Sequence, residues 1–116
     1  MIKRIDAGAR MSEAVIHDGR IYLAGQVPET ASADIQTQTR EALAAIDDLL
    51  AQAGSDKAHI LQAQVFLADL ADFAGMNEAW DAWVVPGKAP ARATVQAALA
   101  DPGWKVEILV TAVVAS

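Results

Sequence analysis

Residues 106–115 read Val106-Glu107-Ile108-Leu109-Val110-Thr111-Ala112-Val113-Val114-Ala115. Alternation puts Val106, Ile108, Val110, Ala112 and Val114 on one face of a strand. Glu107, Leu109, Thr111, Val113 and Ala115 take the other face. A strand in a two-layer domain leaves its second face in water. Here Leu109 and Val113 share that face with the lone acid Glu107. The pattern therefore predicts a last strand covered on both sides. Only two helices are available in the chain, so the extra cover comes most simply from another copy of it.

Outward from this strand, the turn Asp101-Pro102-Gly103 separates it from an alternating segment, Arg92–Leu99. Ala93, Val95, Ala97 and Leu99 share one side there; Arg92, Thr94, Gln96 and Ala98 share the other. Ile60–Leu67 is a further strand, with Leu61, Ala63, Val65 and Leu67 on one face. Between these strands Phe73, Met76, Trp80, Trp83 and Val84 recur at helical spacing, with Asp69 or Asp72 as cap and Pro86-Gly87 as the stop. A longer helix runs from about Asp34 to Ala53, capped by Ser32 or Asp34 and followed by Gly54. Near the N-terminus, Asp18-Gly19 lies between the apolar runs Ala14–Ile16 and Ile21–Ala24, a hairpin signal, and Pro28 ends the second strand. Ile2 and Ile5 mark a short opening strand. The order is β-β-β-α-β-α-β-β. A strand–helix–strand crossover requires a parallel pair, so the expected architecture is α+β, a mixed sheet with both helices on one face.

Composition sets the outer limits. The chain has 116 residues, which predicts one domain over 1–116. It holds 26 alanines and few aromatic residues, so the core is small and aliphatic. Zero cysteine removes disulfides, thiolate metal sites and a cysteine nucleophile. A formal charge of −6 argues against general nucleic-acid binding. Nothing near the N-terminus reads as a signal peptide, and no apolar run approaches the ~18 residues of a membrane span. A cytoplasmic protein is the expectation.

Two residues stand out chemically. Arg92 opens a strand after Lys88-Ala89-Pro90-Ala91 and presents a rigid fork that fits a carboxylate. The pattern alone favours the plainer reading, an ordinary surface arginine at a strand start. Glu107, alone in an apolar strand, is a candidate for moving a proton or holding a water. It reads equally as a carboxylate paired with Lys105 or Arg92. If Arg92 and Glu107 meet across the final hairpin, they form one ion-paired site. His17 beside its turn reads as solvated. His59 has no second ligand at metal spacing, and Trp80 and Trp83 read as core.

Four segments carry a resemblance. They are Ala24-Gly25-Gln26-Val27-Pro28; Asp69-Leu70-Ala71-Asp72-Phe73 with Met76-Asn77; Pro90-Ala91-Arg92-Ala93-Thr94-Val95; and Val106-Glu107-Ile108. In this order and placement the chain resembles the RidA/YjgF family of reactive-intermediate deaminases, once grouped as endoribonuclease L-PSP, as a divergent branch. The resemblance implies a chorismate-mutase-like fold, a homotrimer, and sites in clefts between subunits. It implies hydrolysis of enamine/imine intermediates such as 2-iminobutanoate and 2-iminopropanoate to 2-keto acids and ammonia, without cofactor or metal. It assigns the carboxylate anchor to Arg92 and the water-positioning acid to Glu107, with Gly25, Thr94 and Asn77 in the pocket.

The sequence departs from the family pattern at three places. Met11 stands where a tyrosine often closes the pocket, Ala24 where a serine often precedes Gly-Gln, and Thr94 where a cysteine often follows the arginine. These changes bear on the preferred substrate more than on the reaction. The alternatives are a non-catalytic carboxylate sensor on the same scaffold, and the endoribonuclease or translation-inhibitor role described for some relatives, which the negative charge opposes. The expected partners are a small anionic imine or keto acid and further copies of the chain, with no nucleic acid and no membrane.

Overall fold

Asp18 and Gly19 both hold positive φ, 49° and 76°. Two successive positive-φ residues give the tight turn whose twist matches its flanking strands. In the computed structural model, which describes residues 1–115, this turn joins β2 (Ala14–His17) to β3 (Arg20–Leu23), and β1 (Lys3–Ile5) pairs antiparallel with β2. Then come α1 (Ile35–Gln52), β4 (Ile60–Leu67), α2 (Phe73–Trp83), β5 (Ala91–Gln96) and β6 (Val106–Val113). The helix boundaries follow local chemistry. The Asp34 side chain accepts from the Thr37 N–H at 2.8 Å, and Gly54 takes φ 81° just past the end. That capping bond holds the Asp34 carboxyl below its ordinary range. Asp69 caps a single 3-10 turn, Leu70–Asp72, and Asp72 precedes α2 without a side-chain bond.

The six strands form one mixed sheet in the order β1-β2-β3-β6-β4-β5, with β4 and β5 parallel and the other pairs antiparallel. α1 lies on β6 and β3 and packs against α2, so both helices cover one face, as expected for the α+β class. Ile21, Val65, Leu67, Val106, Ile108 and Val110 line the covered face and are buried. On the opposite face Tyr22, Val95 and Leu109 are 45%, 39% and 39% exposed. The second face of β6 is thus largely apolar, as its sequence indicated, and among the described residues no helix covers it.

Several expectations are corrected. The final two strands are not a hairpin, because β4 lies between β5 and β6. The segment from Arg92 stops being a strand at Gln96, and the last strand stops at Val113. Leu61 does not join Ala63, Val65 and Leu67 on the inner face. A bulge between Ile60 and Gln62 leaves it 48% exposed. Phe73, expected in the α2 stripe, is 44% exposed, and the buried residues of α2 are Met76, Ala79 and Trp80. β3 ends at Leu23, ahead of Pro28, and Gln26 makes an isolated bridge to Ile108.

One buried polar side chain ties the layers together. Gln38 is fully buried on α1. Its amide donates to the carbonyls of Ala31, Ala33 and Gly103 at 3.2, 3.2 and 3.0 Å, and its oxygen accepts from the Lys105 N–H at 2.7 Å. Gln38→Leu leaves these backbone groups without partners. It is expected to lower stability by about 3 kcal/mol. Denaturant titration checks this as a lower midpoint at unchanged slope.

Candidate functional site

The site residues expected from sequence fall into two groups on two faces of the sheet. Arg92 pairs in register with Ala63, which is buried, so its side chain takes the helix-covered face. There the guanidinium lies 5.0 Å from the Trp80 ring centre, and one N–H points at the Met76 sulfur at 3.9 Å. Burial lowers the affinity of Arg92 for its proton, and the charge of Asp81 partly offsets this. Among the described residues the ion pairs are His17–Asp18 and His59–Asp56, and Arg92 takes part in neither. Thr94 lies two residues on, on the same face. Its hydroxyl oxygen is buried and has no hydrogen-bond partner. Asn77 is half-buried on α2, one helical turn before Trp80 and Asp81. A partly buried guanidinium outside any ion pair, on the same strand face as a buried unpaired hydroxyl, is an arrangement that favours an anionic, hydrogen-bonding ligand.

Glu107 pairs in register with Phe66 and takes the other, helix-free face. The expected pairing with Lys105 or Arg92 does not form within the chain. Two strand spacings, about 9–10 Å, separate β5 from β6, and the two side chains point to opposite sides of the sheet. What does meet Glu107 is the Gly25 backbone. The Gln26–Ile108 bridge, with N–O distances of 2.8 and 2.9 Å, lays Gly25 against the start of β6. A Cβ on Gly25 would overlap Glu107 Oε2 and come within 3.0 Å of its Cδ. Glycine is needed here for close approach. Glu107, Gly25 and the exposed Met11 line one cavity of about 410 Å³, together with Val27, Ala100 and Trp104.

The structure therefore brings Met11, Gly25 and Glu107 to one cavity and places Arg92 and Thr94 on the opposite face of the sheet, with Asn77 on the helix α2 that covers that face. Two contributors were not singled out in the sequence. Trp80 is core, as read, but it also carries the Arg92 guanidinium on its face. Trp104 stands in a turn just ahead of Glu107. A large aromatic there, outside any core periodicity, was the available signal.

Comparison with known proteins agrees with this fold. A family model described as Endoribonuclease L-PSP matches residues 1–114. The RutC family protein YoaB of Escherichia coli K12 is 56% identical over 97% of this chain and 98% of its own length. A RutC family protein of Haemophilus influenzae is 54% identical over 96% of this chain and 97% of its own length. Among solved structures, a YjgF family member from Neisseria meningitidis superposes with a TM-score of 0.97 at 49% identity, covering 100% of this chain and 97% of that one. The chain belongs to the Endoribonuclease L-PSP family, whose members also carry the RutC and YjgF names. Among the described residues no helix is long and apolar enough to cross a membrane.

Proposed function

We propose that the protein hydrolyses reactive imines of 2-keto acids to the keto acid and ammonia, in clefts where Arg92 of one copy faces Glu107 of the next within a homotrimer. The observation that carries this reading is that the Arg92 and Glu107 side chains take opposite faces of the sheet. A site using both residues has to be completed by a second copy, and the exposed apolar patch of Tyr22, Val95 and Leu109 supplies a surface for it. The guanidinium of Arg92 clamps the substrate carboxylate bidentately, and the Thr94 hydroxyl adds a hydrogen bond. Glu107 holds a water against the imine carbon and accepts its proton as the C–O bond forms. The proton passes to nitrogen to give the carbinolamine; its hydroxyl then gives up the second proton, which also goes to nitrogen, and as C=O forms the C–N bond breaks and ammonia leaves. Free imines already hydrolyse in water, so orientation supplies much of the acceleration.

The net charge of −6 opposes RNA, so this reading takes precedence over the ribonuclease activity in the family description. The test generates 2-iminobutanoate in situ with a threonine dehydratase and traps unreacted imine with semicarbazide. The protein is expected to divert imine from the trap in proportion to its concentration. Keto-acid binding with no diversion would instead assign it a carboxylate-binding role without turnover.

A further inference from the structure

We infer that Trp104 sets which imines the cleft accepts, selecting those with a bulky apolar side chain over three- and four-carbon ones. This rests on the imine-hydrolysis reading of the same site. The cavity beside Glu107 measures about 410 Å³. Beside Glu107 the cavity carries an apolar wall of Met11, Val27, Ala100 and Trp104. The charges on this cavity are the carboxylates of Glu13 and Glu107, which repel the substrate's own carboxylate. The carboxylate therefore belongs at Arg92, and the substrate's side chain extends along the apolar wall.

The wall is held in place. The backbone N–H of Trp104 donates to the Asp101 carbonyl at 3.1 Å, and both residues flanking Trp104, Gly103 and Lys105, are bonded by Gln38. A large rigid ring on a pinned turn discriminates by shape without ordering cost on binding. Gln38 is thus a positioning residue for the wall as well as a structural one.

The test supplies imines from an L-amino-acid oxidase acting on leucine, phenylalanine, alanine or arginine, with catalase present. Wild-type kcat/KM is expected to favour the leucine- and phenylalanine-derived imines over the alanine-derived one by at least about tenfold. Trp104→Ala should reduce that ratio by about tenfold, and Trp104→Phe should keep most of it. A wild-type ratio near one would overturn the inference. So would a ratio unchanged in Trp104→Ala, or a preference for the cationic arginine-derived imine. Calorimetric affinities for 4-methyl-2-oxopentanoate and 2-oxopropanoate separate the two levels of the argument. If no imine is hydrolysed but the larger keto acid binds more tightly, in a manner lost in Trp104→Ala, the wall stands and the hydrolytic reading fails. Equal affinities sink the wall.

Discussion

Arg92→Ala is expected to reduce kcat/KM for imine hydrolysis by about a hundred- to ten-thousand-fold. Two charge-assisted hydrogen bonds to a carboxylate contribute about 1.5–3 kcal/mol each, and the loss falls on substrate capture and orientation together. Arg92→Lys should recover little, because an ammonium cannot reproduce the planar fork or its stacking on Trp80. The fold should survive. Arg92 is on an edge strand, and removing its contact with Trp80 is expected to cost only about 1 kcal/mol. Thermal denaturation beside the kinetic assay distinguishes lost chemistry from lost structure. An Arg92→Ala variant with near wild-type turnover would remove the carboxylate anchor from the account.

The second large effect is expected at a residue with no functional group. Gly25→Ala puts a methyl group where the Glu107 carboxylate now sits. Either the carboxylate moves or the Gln26–Ile108 bridge opens, and in both cases the attacking water loses its base. Loss of a general base costs about 10²–10⁴ in rate, so Gly25→Ala and Glu107→Gln should each lower kcat into that range. Because both act through one carboxylate, the double variant should be scarcely worse than either alone. Additive losses would mean that Gly25 serves the pocket by some other route.

How much of this was legible in the sequence depends on the range of the interaction. The Asp18-Gly19 turn, the Asp34 cap and the Gly54 stop are local, and the structure has all three. The alternation in β6 correctly indicated an apolar second face, since the strand period is fixed. The insertion of β4 between β5 and β6 was not legible, because strand order comes from long-range pairing that no local pattern encodes. β5 shows a subtler failure. Its apolar residues Ala93 and Val95 face away from the helices, while Arg92 and Thr94 face toward them. The usual inward-apolar rule inverts there because Trp80 and Met76 accept the guanidinium, leaving the apolar side for the uncovered face. Arg92, Glu107 and Gly25 were all named from sequence. That Arg92 and Glu107 lie on opposite faces of the sheet came only with the strand order and register.

The central claim is that each working cleft takes Arg92 from one copy and Glu107 from another. Mixing tests it most directly. Arg92→Ala and Glu107→Gln chains are each expected to be nearly inactive. Refolded together at equal amounts, they should regain about a quarter of wild-type activity, the share of clefts that receive both intact residues by chance. Mixtures no more active than the two parents measured separately would contradict the account, and would place both residues' work within a single chain.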